Sequence, residues 1–282
     1  MKMKCLKSML IGCVIGSLTC CNTKTKTDME NNILMDSLSV DKTYHMMDIE
    51  TNPSCLLQIR FIYPVDFSDK EVLNSVQKQF ISDYFGDDYV DLTPEKAAEK
   101  YAENYIKTFK EMERDFQLEL ENHPSEPDES WYINDEILND QIVYNQNDIL
   151  SYVVYKEFFK GGAAHGAHHY TNRVINLKTG LKITESDIFI DNYQEDLTEI
   201  IIDGITLSNN VDEAVDLENI GFFNINEIAP NKNFYIDEIG ITYTFNEYEI
   251  ATYVVGATSV QIPYEKIRHL LRKESPIAAI AF

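Results

Sequence analysis

The chain has 282 residues, of which 44% are hydrophobic and 11% aromatic, enough apolar material for one large domain or two small ones and too much for a disordered chain. Acids outnumber bases 47 to 24, for a formal net charge of −23. A surface of that sign repels nucleic acid and anionic lipid and either draws cationic partners toward it or serves only to keep the protein soluble.

The first 20 residues read as a secretory signal: Lys2, Lys4 and Lys7 form a positive n-region, and Met9 to Thr19 form an apolar stretch too short to span a bilayer. Leu18-Thr19-Cys20-Cys21 has the spacing of a bacterial lipobox, which makes Cys21 the expected lipidated residue, with Cys20 next. Leu10-Ile11-Gly12-Cys13 fits the same pattern but would leave almost no apolar stretch before the cut, and a plain cleaved signal without lipid is the simpler alternative. Cleavage before Cys21 removes three lysines and no acid, moving the net charge from −23 to −26. Only Cys21 and Cys55 would then remain, so no internal disulfide is expected and the fold must rest on packing. The expected location is the cell envelope, with the membrane touched only through the N-terminal lipid.

Residues 21–53 are polar and without a sustained period, and read as a flexible tether. Order is expected from Ser54, where alternation places Leu57, Ile59, Phe61 and Tyr63 on one face of a strand that Pro64 should stop. Ser68 and Glu71 have capping-box spacing before a helix carrying Val72, Leu73, Val76, Phe80 and Tyr84, with Gly86 as its C-terminal cap. Thr93-Pro94 opens a long helix with Ala98, Tyr101, Tyr105, Phe109, Met112 and Phe116 along one stripe, a pattern of core packing. After the loop at 123–128, strands are expected at Trp131 to Ile133, Ile137 to Tyr144 and Ile149 to Phe159, the last two joined by a turn at 145–148. The stretch from Phe158 to Tyr170 reads as strand, glycine turn and strand, followed by a turn at Thr179-Gly180 and a short helical turn after Ile183. A helix over 191–208, an irregular segment at 209–232, a hairpin at Phe234 to Phe245, a strand at Ala257 to Ile262 and a last helix from Pro263 complete the chain. Strands and helices come in blocks, so the expected class is α+β with a mostly antiparallel sheet and packed helices, in regions 54–146 and 147–282 that form one cooperative unit.

No enzyme signature stands out. His165, His168 and His169 lie close in sequence, but His168 and His169 point to opposite faces of an extended strand and no carboxylate or cysteine sits at ligand spacing, so neither metal nor cofactor is expected. Gly161, Gly162 and Gly166 would instead supply positive φ or close backbone approach, with His165 hydrogen-bonded across the turn and held neutral by burial. Cys55 lies in an apolar strand, where a thiol acts as a small hydrophobe, and Asp187 caps the turn after Ile183. The acids are too numerous for any one pair to mark glycoside chemistry.

Three motifs in order, Gly161-Gly162-Ala163-Ala164-His165-Gly166, then Asn176-Leu177-Lys178-Thr179-Gly180, then Ile183 to Phe189 with Asp187, resemble the signature of the RsiV-like extracytoplasmic domains, which also occur beside the PdaC peptidoglycan deacetylase catalytic domain. Tyr248-Glu249-Ile250-Ala251, Tyr253, Gly256 and Ile262-Pro263-Tyr264 resemble later segments of the same family, and the resemblance spans roughly residues 54–272. It implies an α+β ectodomain outside a membrane; in the best-understood members this is the sensor of an anti-sigma factor and binds lysozyme. The chain departs from the pattern by an extra Ala in the glycine turn and by Asn-Glu before Tyr248. No cytoplasmic segment before the signal and no deacetylase catalytic domain are read, so binding is the behaviour expected to carry over. The expected function is a non-catalytic, envelope-anchored binding or sensing domain for a lysozyme-type hydrolase or peptidoglycan, with contact loops at 122–130 and 209–232. A metal-dependent envelope glycan hydrolase or deacetylase, or a structural lipoprotein, are the alternatives.

Overall fold

The structure, a computed structural model, describes residues 30–125 and 127–282; Cys21 and the signal lie outside the described residues. Strand β2 (Ser54–Asp66) organises the first half. Its alternation places Leu57, Ile59, Phe61 and Tyr63 on one buried face, as the sequence period requires. Pro64 does not end it: the pairing with a neighbouring strand on one side stops at Arg60, so a residue without an N–H is tolerated there. Residues 34–45, expected within the tether, instead form the edge strand β1 (Leu34–His45), antiparallel to β2 along its length. The polar run of Asp36, Ser37, Ser39, Asp41, Lys42 and Thr43 hides this strand in the sequence, because its register comes from β2 rather than from its own hydrophobicity.

Helix α1 (Lys70–Phe85) is capped by Asp69, not Ser68: the Asp69 carboxylate accepts from the Glu71 and Val72 amides. Helix α2 (Pro94–Lys110) starts as its sequence signals, with Thr93 accepting from the Lys96 amide and Pro94 in the first turn. The expected single long helix breaks after Lys110 and resumes as α3 (Glu113–Asn122). The break tightens the backbone, with the Glu111 amide donating to Lys107 and Thr108 and the Met112 amide to Phe109. Phe109 and Phe116 are buried on either side of it, together with Met46 and Cys55, so the apolar stripe runs through the break without a mark. Trp131 and Tyr132, expected with Ile133 in a strand, lie instead in a 3-10 turn (Glu129–Tyr132), because the Asp128 carboxylate accepts from the Ser130 amide.

Strands β3 (Asn134–Gln146), β4 (Ile149–Lys160), β5 (Ala167–Asn176) and β6 (Leu181–Lys182) complete a six-stranded sheet in the order β1-β2-β3-β4-β5-β6. All pairs are antiparallel except β2 with β3, so the sheet is mixed. Asn147 and Asp148 turn between β3 and β4 with φ of 57° and 62°, the backbone of a tight hairpin turn. The division expected at 146/147 falls on this turn, so both regions contribute strands to one sheet.

Helix α4 (Glu185–Ile188), helix α5 (Gln194–Ser208) and the antiparallel sheet β7 (Phe234–Ile236), β8 (Gly240–Phe245) and β9 (Thr258–Pro263) enclose a second core. Strand β4 serves both cores by alternation: Leu150, Tyr152 and Val154 face α1 and α2, while Ile149 joins the second core. The helix expected after Pro263 is short, α6 (Tyr264–Ile267), because the chain turns back so that the Arg272 amide donates to the Ile188 carbonyl. A final turn, α7 (Ala278–Ala281), follows.

Candidate functional site

The glycine turn between β4 and β5 is shaped by Trp131. A Cβ on Gly161 would stand 2.3 Å from the Trp131 carbonyl carbon, and one on Gly162, whose φ is 79°, would stand 2.2 Å from the indole ring. The Gly162 amide donates to the Ser130 carbonyl and the indole Nε1 donates to Asp128, so turn and tryptophan are fixed to each other. Trp131 nonetheless leaves 57% of its surface exposed. Gly166 is held by neither device, since a Cβ there would meet the Phe158 carbonyl at an ordinary 3.5 Å.

His165 is exposed, which corrects the expectation of a buried imidazole. It stacks on Tyr253 with ring centroids 3.5 Å apart, its Nε2 lies 3.2 Å from the Tyr248 hydroxyl and its Nδ1 2.9 Å from the Gly166 carbonyl oxygen. Tyr248 has a φ of 63° and is 57% exposed. Gly256, with φ 77°, closes the following turn by donating to the Tyr253 carbonyl. Gly161, Gly162, His165, Gly166, Tyr248 and Gly256 are thus brought to one end of the molecule. His168 pairs with the nearly buried Glu247 at 2.7 Å, while His169 sits opposite Lys156 on the other face of the sheet. Among the described residues no group of three or more His, Cys, Asp or Glu is arranged to hold a metal ion.

Gly180 and Asp187 lie at the far end of β5. The Gly180 carbonyl accepts from Ser75 and Gln79 of α1, at 2.7 Å each, and Asp187 caps α4 by accepting from the Thr184 amide at 2.8 Å. Both serve the fold.

Beside the glycine turn opens a cleft of about 620 Å³, walled by α2, the start of α3, Trp131 and the ends of β3 and β4. Tyr89, Tyr101 and Tyr105 line it with Phe158, Phe159 and Trp131. The tyrosines are positioned from within: the Tyr105 hydroxyl lies 3.1 and 3.0 Å from the Leu56 and Asn134 carbonyls that accept from it, Tyr101 donates to Glu136, and Asn104 donates to the Tyr89 hydroxyl at 2.9 Å. Burial, with the Glu136 charge beside Tyr101, pushes the Tyr101 and Tyr105 hydroxyls well above the usual phenol range, so both stay neutral donors.

Four carboxylates line the same cleft: Glu111, Asp115, Asp135 and Glu136. Lys156 meets Glu136 at 2.8 Å, but Glu111, Asp115 and Asp135 have no ion-pair partner among the described residues. Asp135 is held above the ordinary carboxylate range by burial. Lys160 lines the cleft as well but makes no ion pair among the described residues, so acids outnumber bases there four to one. An aromatic wall with an excess of carboxylates is the complement of a cationic side chain, which can lie on a ring face and reach an acid at once.

Of the loops expected to carry contacts, 122–130 supplies no lining residue and touches the cleft only indirectly, where Asp128 accepts from the Trp131 indole, whereas Leu217, Phe222 and Ile228 of 209–232 pack into the second core. The cleft itself is hidden in the sequence. Tyr101 and Tyr105 fit a core stripe; the signal was that a stripe meant only for burial rarely spends two hydroxyls on it.

No curated protein matches this chain. A crystal structure of a DUF3298 family member from Bacteroides fragilis is similar, with a TM-score of 0.83 and 28% identity over 90% of this chain and 98% of that one. A DUF3298 family protein from Pseudomonas aeruginosa has the same fold at a TM-score of 0.59 and 12% identity, over 87% of this chain and 97% of that one. Residues 186–265 match the family model described as a protein of unknown function (DUF3298), so this segment carries a DUF3298 domain within a fold shared with DUF3298 proteins.

Proposed function

We propose that the cleft receives basic side chains of a cationic protein, such as a lysozyme-type hydrolase, in a non-catalytic domain held at the cell envelope by a lipid on Cys21. One observation carries this reading: Glu111, Asp115 and Asp135 stand without a cationic partner among the described residues, in the same cleft as Tyr89, Tyr101, Tyr105 and Trp131. The resemblance to RsiV-like domains and the net charge of −23 support it, since long-range attraction would bring a basic partner to the cleft before the aromatic contacts form. Replacing Glu111→Gln together with Asp115→Asn should weaken binding of a c-type lysozyme about tenfold, because the double variant can no longer form two charge-assisted hydrogen bonds at a partly exposed site. Unchanged affinity in that double variant would place the contact elsewhere.

Peptidoglycan is a second reading, favoured by the exposed rings of Trp131 and Tyr248 around the glycine turn, which offer flat faces to sugar rings. Because Trp131 also lines the cleft, the carboxylates rather than the ring separate the two readings. Trp131→Ala should abolish co-sedimentation with insoluble peptidoglycan, whereas neutralising Glu111 and Asp115 should leave it intact.

A further inference from the structure

On the opposite flank of α2 from the aromatic cleft, the sheet ends at β1, and no described residue pairs with that strand's outer edge. Beside this edge an apolar slot of about 690 Å³ opens between β1 and α2, floored by Leu38 and Val40 and roofed by Ala98, Ala102 and Ile106. The register with β2 places Asp36, Leu38, Val40 and Lys42 on the slot's side of the sheet, opposite Tyr63, Phe61, Ile59 and Leu57. A strand added at this edge would lie about 4.8 Å away and send every second side chain into the slot.

The sequence of β1 is self-complementary about Ser39. If two copies pair antiparallel with Ser39 opposite Ser39, Leu38 of each faces Val40 of the other, and Asp36 of each faces Lys42 of the other, all on the slot's side. Helix α2 repeats the pattern at larger scale. It runs in the same direction as β1, since Glu95 meets Tyr63, the partner of Asp36, while Lys110 sits over the Tyr44 ring. Its slot-facing charges are Glu95, Glu99 and Glu103 in the first part and Lys107 and Lys110 in the last. A twofold axis through Ser39, perpendicular to the sheet, would lay the acidic part of one α2 beside the basic part of the other. One axis therefore satisfies the apolar pairs, the strand charges and the helix charges together.

We propose that a second copy of this chain docks at the β1 edge, forming a twofold dimer with one continuous sheet across Ser39. Such an interface is isologous, closes on itself and removes the exposed edge that would otherwise template aggregation.

The full chain should sediment as a concentration-dependent dimer. Lys42→Asp sets like charges against Asp36 of the partner at two symmetric places and should weaken the dimer about tenfold or more. The reciprocal variant Asp36→Lys, Lys42→Asp restores opposite charges and should recover dimerisation, with circular dichroism confirming that each variant is folded. Ser39→Cys should give a disulfide-linked dimer on mild oxidation, above the level of the unsubstituted chain, and Ser37→Cys should not. A monomer at every concentration overturns the proposal. So does a Lys42→Asp chain that dimerises as before, a reciprocal variant that stays monomeric, or crosslinking that favours Ser37→Cys.

Discussion

At the scale of single residues, the glycine turn shows how little freedom the hairpin tip has. Gly162 combines a positive φ with an indole ring where its Cβ would be, whereas Gly166 has neither constraint. Gly162→Ala should therefore destabilise the fold by about 1–3 kcal/mol, by forcing Trp131 and the turn apart, and Gly166→Ala by under about 0.5 kcal/mol. Chemical denaturation of both variants measures the difference, and equal losses would show that the indole does not fix the turn. In the sequence both glycines look alike, because it records only that each is Gly; the tryptophan that distinguishes them stands about thirty residues earlier. Cys55 was more legible. An apolar strand surrounds it, and burial pushes its thiol up to about 11, in keeping with a small hydrophobe rather than a nucleophile.

At the scale of elements, caps and junctions carry the local energetics. Asp69, with two backbone amides on its carboxylate, should lose about 1 kcal/mol of stability on replacement by Ala, and Ser68→Ala should be close to neutral. The reverse order in a thermal melt would restore the capping-box reading. Where β2 and β3 part after Arg60, the Asp140 carboxylate accepts the Ile62 amide at 2.8 Å, while its other oxygen is buried without a partner. Burial raises its pKa from 3.8 to about 7. The folded state thus holds this proton more tightly than the unfolded chain does. Stability is therefore undiminished below pH about 4, where both states are protonated, and falls by roughly 2–4 kcal/mol in total as pH rises through 7. Asp140→Asn should accordingly stabilise the protein at pH 8 and change it little at pH 4; an equal effect at both would mean the carboxylate is not desolvated. Element types along 54–208 were largely readable because period and caps agree there. The α2–α3 break and strand β1 were not, since the first leaves the stripe unbroken and the second borrows its register from a neighbour.

At the scale of the whole molecule, an acidic surface surrounds a cleft in which aromatic rings and unneutralised carboxylates share one wall. The glycine turn, legible from its motif, supplies one rim of that cleft. Its other walls come from α2, α3, β3 and β4, and the parallel pairing of β2 with β3 that helps bring them together is a long-range event that no local pattern encodes. Diffuse charge attraction and specific cleft binding respond differently to salt, because exposed charges are screened within about 8–10 Å at moderate ionic strength while a partly buried contact is not. Titration calorimetry of the protein against a c-type lysozyme, at low and at moderate salt, tests the central claim most directly. The expected result is saturable heat near one-to-one stoichiometry that persists at moderate salt and weakens about tenfold in the Glu111→Gln, Asp115→Asn variant. Heat that vanishes on adding salt, or that ignores those two substitutions, would contradict it and leave only an acidic protein attracting a basic one.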